Sequence, residues 1–169
     1  MRLLRNQIPP LAKKIVKALI DGGDIEAESP REVERDVEAV LESYSREVDA
    51  VQTHAREIVQ QRGLPQGEFS RALKLAADKA GIKTGDEALD FVLDQLTEML
   101  MHSTNIDEVF AADHDLRRRM RPFIMGAAEV DKDVDLEVRS KLKHMQEGSR
   151  TWEIEYGRMM EEIRRRKGV

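Results

Sequence analysis

Apolar residues recur every three or four positions along most of the chain, the spacing of one face of an α-helix rather than the alternation of a strand. From residue 33 the stripe reads Val33, Val37, Val40, Tyr44, Val48, Val51, Ala55 and Ile58. This near-heptad seam needs an equally long cover. Helix punctuation divides the pattern. Pro9-Pro10 opens a short helix, where a missing N–H costs nothing, and Gly22-Gly23 stops it. "SPRE" (29–32) starts the long helix, with Ser29 as N-cap, Pro30 in the first turn and Glu32 placed to close a capping box. A third helix spans about 67–80 and ends at Gly81, with Ile82 as its hydrophobic stop contact. "TGDE" (84–87) forms another capping box and starts a fourth helix that continues to about Ser103. No convincing strand appears, so the spacing predicts an elongated all-α protein.

Displacing the chain by 105 positions lays residues 1–64 on 106–169 without a gap. Few pairs are identical, but apolar positions coincide, as at Ile15/Met120, Leu19/Ile124 and Val37/Leu142, and "GGDIE" (22–26) falls on "AAEVD" (127–131). This suggests one short-helix, turn, long-helix unit written twice: 1–64, a middle αα-hairpin at 65–105, and 106–169. In the second copy the long helix is expected to start near Asp133, and the two copies to pack about a pseudo-twofold axis. Leu116, Met120 and Ile124 repeat the stripe Leu11, Ile15 and Leu19. Two copies of one stripe are more simply two sides of a shared core than membrane-surface helices.

The second seam runs Val138, Leu142, Met145, Ser149, Trp152, Tyr156, Met160 and Ile163. Where the first copy has Tyr44 then Val48, the second has a small Ser149 then the sole tryptophan. Gly148 allows a bend there. Gly148, Ser149, Trp152 and Tyr156 are therefore read as a structural motif in which the indole is buried against Tyr156 and the opposing helix.

Composition narrows the chemistry. The 169 residues include 33 acidic and 28 basic side chains and no cysteine, which excludes disulfides, thiolate metal sites and a cysteine nucleophile. Lys13-Lys14 and the proline pair interrupt any apolar run long enough for a signal peptide or membrane span, so a cytoplasmic location is expected. None of the four histidines lies three or four residues from another, as a helical metal pair requires. No catalytic acid/base pair stands out, and no glycine-rich phosphate loop follows a strand. The sequence thus points to no catalytic residue, cofactor, metal or small-molecule substrate.

Helices 67–80 and 85–103 mimic a DNA-binding helix-turn-helix, but the second carries Asp86, Glu87, Asp90, Asp94 and Glu98 without Lys or Arg, and phosphates repel such a face. The better case for nucleic acid is "RRRMR" (Arg117, Arg118, Arg119 and Arg121) together with Arg164, Arg165 and Arg166 near the C-terminus. Neither cluster contains an aromatic residue to stack a base. The leading expectation is a non-enzymatic interaction or scaffold module that binds another protein or itself. The alternative is an RNA- or DNA-associated accessory protein using the two arginine clusters.

"MRLLR" at the start, "DEVFAADHDLRRRM" (107–120), "EGSRTWEIEY" (147–156) and "EEIRRRKG" (161–168) resemble an uncharacterised bacterial family, domain of unknown function 507, and the resemblance covers the whole chain. It implies a bacterial, cytoplasmic, helical protein and supplies no activity, ligand or catalytic residue.

Overall fold

The computed structural model describes residues 3, 5–63, 65, 68–146 and 149–167, leaving aside the side chains of Asp131 and Glu153. The fold is all-α with one minimal sheet. A 3-10 turn leads into α1 (Ile8–Asp21), followed by β1 (Ile25–Glu26), α2 (Pro30–Gln61) and α3 (Phe69–Ala80). A second 3-10 turn (Gly85–Glu87) precedes α4 (Ala88–His102), then come β2 (Glu108–Val109), α5 (Asp113–Lys141) and α6 (Arg150–Lys167).

In the first half the helices start within a few residues of where the sequence puts them, but the caps work differently. Ser29 is the N-cap of α2 and Pro30 its first residue, yet the Ser29 side chain makes no cap bond. Glu32 instead accepts from Arg35 at 2.8 Å, and its backbone N–H donates to the Ser29 carbonyl at 3.1 Å. Thr84 likewise makes no side-chain cap, because residues 85–87 form a 3-10 turn and α4 begins only at Ala88. At the end of α3 the stop contact is as expected. Ile82 is buried and its N–H donates to the Ala77 carbonyl at 3.1 Å.

The long seam of α2 buries Val33, Val37, Leu41, Tyr44, Val48, Val51 and Ala55. Its cover is α1, α3 and α4. The third and fourth helices are therefore not the paired hairpin expected from their spacing. They barely touch each other, and each packs on α2, because α2 offers a continuous apolar stripe to both. α1 packs on α2 and on α5, so the repeated stripes Leu11, Ile15, Leu19 and Leu116, Met120, Ile124 do share one core.

The second half departs from the repeated layout. Residues 127–131, aligned with the first linker, lie inside the continuous helix α5, so no second short helix exists to pair with α1 about a twofold axis. The reason is local. Gly23 has φ +69°, a left-handed conformation that ends α1, whereas the aligned Ala127-Ala128 are the best of helix formers. The break comes later instead, after α5 ends at Lys141 and before α6 starts at Arg150.

The linker that follows Gly23 is held by a strand pair too short to read from sequence. β1 and β2 are antiparallel, with Ile25 opposite Val109 and Glu26 opposite Glu108. The N–H groups of Phe110 and Ala111 add bonds of 2.9 and 3.2 Å to the Asp24 carbonyl. This tie brings the α1–α2 linker against the segment entering α5.

Candidate functional site

The two arginine clusters and the tryptophan motif all lie on α5 and α6. In the first cluster each arginine meets an acidic side chain. Arg117 pairs with Asp94 at 2.6 Å and Arg121 pairs with Asp90, so the acidic face of α4 lies against the basic face of α5. Arg118 turns back along its own helix to Asp115 at 2.6 Å. Arg119 reaches the α1–α2 linker, where its Nε–H donates to Asp24 at 2.7 Å. Asp24 is buried, and the hydrogen bond followed by the charge of Asp24 raises the Arg119 pKa above its ordinary value. The guanidinium lies across Gly22. A Cβ there would come within 2.8 Å of Arg119 Nη2 and 2.9 Å of the Ala18 carbonyl oxygen. The linker glycines thus serve a side chain 95 residues away as well as the turn.

At the far end of α6, Arg166, Lys167 and Lys141 converge on the single carboxylate of Glu137, Lys167 at 3.1 Å and Lys141 at 3.5 Å. Hydrogen bonds from Arg166 first and Lys167 second pull the Glu137 carboxyl down to about 2. One carboxylate shared by three cations leaves local positive charge. Arg165 is exposed beside them and Arg164 partly buried.

The tryptophan motif builds the junction between the last two helices. The Ser149 Oγ accepts the Trp152 backbone N–H at 3.2 Å, an N-terminal cap for α6; Gly148 lies outside the described residues. Trp152 stacks on Tyr156 with ring centroids 4.7 Å apart and an interplanar angle of 21°. The Arg139 guanidinium lies 5.7 and 5.8 Å from the two ring centroids and binds Asp135 through Nε–H at 2.8 Å. Tyr156 donates its hydroxyl proton to the same carboxylate. The indole is partly buried, less covered than a fully packed seam residue, because α6 lies across α5 rather than along it. Trp152 and Tyr156 meet the Asp135/Arg139 side of α5, Met160 and Ile163 join Val134, Val138 and Leu142, and Arg166 reaches Glu137 on the other side.

These last contacts define a second, small apolar cluster separate from the main core. Val134, Val138, Leu142, Met160 and Ile163 are buried in it, with Met145, Trp152, Tyr156 and Met159 at its margin. The seam predicted for one long helix is real in membership, but a break folds it into two helices facing each other. Elsewhere, a depression between the start of α1 (Pro9, Pro10, Lys13) and the first turns of α2 (Arg31, Arg35, Glu38) is lined mainly by mixed charges and offers no apolar enclosure for a small molecule. Among the described residues, no group of three or more His, Asp or Glu is placed to hold a metal ion, and no helix is long and apolar enough to cross a membrane.

Sequence alone could indicate the i,i+3 pair Asp115–Arg118 and the i,i+4 pair Asp135–Arg139. Glu137 and Lys141 are also an i,i+4 pair, but the contacts of Asp24, Asp90 and Asp94 with α5 and of Glu137 with Arg166 and Lys167 leave no such signal, since those chain separations are set by the tertiary fold.

The family described as "Protein of unknown function (DUF507)" matches residues 1–169, the whole chain, and the protein belongs to it. A comparison with curated proteins finds no match.

Proposed function

We propose that this family member is a non-enzymatic helical interaction module of the bacterial cytoplasm, and that it binds a protein partner through the α5–α6 arm. One observation carries the reading. α6 is laid on the distal half of α5, outside the main core, and the outer faces of this pair present Leu136 at 55% exposure and Ile154 at 62%. Large side chains left in water next to a small cluster, with five buried apolar side chains among the described residues, suit a surface completed by a partner. The charges along the first half of α5 favour the same reading, because Asp24, Asp90, Asp94 and Asp115 already engage its arginines.

The alternative, a nucleic-acid accessory protein, draws support from one place, the end of α6, where Glu137 is outnumbered by Lys141, Arg166 and Lys167. The test is affinity capture of the tagged full chain from its native cell, with and without nuclease, beside a Leu136→Glu/Ile154→Glu variant. A protein partner that survives nuclease and is lost in the variant supports the interaction reading. Ribosomal or nucleoid material released by nuclease, unaffected by that variant and lost with Arg164, Arg165 and Arg166 changed to Gln, overturns it. Sedimentation of the purified chain identifies the case in which the partner is a second copy.

A further inference from the structure

Helix α5 belongs to two bodies. Its first half delivers Leu116, Met120 and Ile124 to the main core, and its second half delivers Val134, Val138 and Leu142 to the small cluster under α6. Between Ile124 and Val134 no described side chain is buried. α6 engages Val134, Asp135, Glu137, Val138, Arg139 and Leu142, all beyond that stretch, in which Ala127, Ala128 and Val130 are half-buried and Ala127 still packs on the main core.

Two residues that weaken a helix flank the last buried anchor, Ile124. Pro122 is inside α5, so the Arg118 carbonyl has no N–H one turn ahead to accept. Gly126 follows four residues later. Its helical φ demands no glycine, and an added Cβ would meet nothing within 4 Å. This contrasts with Gly22, where Arg119 occupies the space. No turn, close approach or packing requires glycine at 126, and the physical property it retains is backbone freedom.

We propose that α5 is hinged at Gly126, next to its last anchors on the main core, Ile124 and Ala127, and that the distal half of α5 with α6 moves as one arm relative to the body. The arm stays a unit because the Trp152–Tyr156 stack, the Asp135 bonds and the Glu137 ion pairs all lie on its side of the hinge. The hinge is a property of the free chain, so it stands or falls independently of any partner.

The chain has no cysteine, so spin labels can be placed at will. Distances are measured by pulsed electron resonance on the full chain for three pairs of exposed positions: Ala39→Cys with Glu161→Cys across the hinge, Ala39→Cys with His114→Cys within the body, and Lys132→Cys with Glu161→Cys within the arm. The expected result is a several-fold broader distribution across the hinge than within either body, collapsing toward the controls when Pro122→Ala and Gly126→Ala are combined. Both changes install the best helix former at exposed positions, and circular dichroism verifies that the helix content is retained. A cross-hinge distribution as narrow as the controls overturns the proposal. So does a broad one that the double substitution leaves unchanged, or a within-arm pair as broad as the cross-hinge pair.

Discussion

Tyr44 fills the widest point of the α2 seam at 4% exposure, its ring tilted against Phe91 with centroids 6.1 Å apart. Its hydroxyl donates to the Lys83 carbonyl at 3.1 Å, tying α2 to the segment between α3 and α4. Tyr44→Phe keeps the ring and removes the donor, leaving that carbonyl short of a partner. Near neutrality this costs about 1 kcal/mol. Burial also pushes the phenol pKa up to about 12 from its usual 10.0. A raised folded-state pKa contributes stability that is complete below the unfolded value and lost as pH climbs from there through the folded one. Two pH units correspond to about 2.7 kcal/mol, reduced to roughly 2 kcal/mol by solvent at the hydroxyl end. The phenylalanine variant has no such limb. Its disadvantage should therefore shrink above about pH 10, vanish near about pH 11 and then reverse. Urea unfolding of both proteins, followed by circular dichroism across this range, measures the difference, in which other titrating groups largely cancel. A constant difference through about pH 11 would refute the reasoning, since the phenol would then titrate alike in both states.

Two glycines predict opposite signs. Gly23→Ala must hold an alanine at φ +69° and should destabilise the fold by about 1 kcal/mol, whereas Gly126→Ala, with open space around the new methyl, should stabilise it by up to about 1 kcal/mol; thermal unfolding decides, and equal signs would contradict the local argument. Trp152→Ala removes the stack on Tyr156 and should cost about 2–3 kcal/mol, less than for a fully buried indole, with Trp152→Phe closer to the parent. Indole emission in the isolated protein should be partly blue-shifted and partly shielded from quencher, as befits a half-buried ring, and a red, freely quenched emission would mean that the junction with α5 is not formed.

Signals that act within one turn of chain are legible in the amino-acid sequence itself. The proline pair opening α1, Ser29-Pro30, the stop at Gly81–Ile82 and the stripe of α2 depend on local sterics and on which face is apolar, and the observed helices follow them within a few residues. The layout of the second half is not legible in the same way, because an alignment of apolar positions carries no information on helix termination. Ile15/Met120 and Val37/Leu142 share burial whether or not a turn separates the helices. Termination at 22–23 comes from glycine, and the aligned alanines lack it. The expected hairpin is absent for a related reason. A short connection makes neighbours in sequence, but α2 presents more apolar surface to α3 and to α4 than they present to each other.

The candidate site shows the same division more sharply. Counting arginines at 117–121 identifies a basic surface only if nothing acidic lies opposite, and Asp24, Asp90 and Asp94 come from two other elements. The acidic run on α4, which argues against DNA binding by that helix, also engages the α5 arginines that argue for it. Both features thus describe one contact between α4 and α5. The other cation cluster is at the α6 end, where Lys141, Arg166 and Lys167 share Glu137. That end and the exposed Ile154 both belong to the arm beyond Gly126. Leu75 and Phe110 are as exposed on the body, but on the arm Leu136, Ile154 and a cation cluster lie beside the smallest core, where association would stabilise the arm as well as bind it.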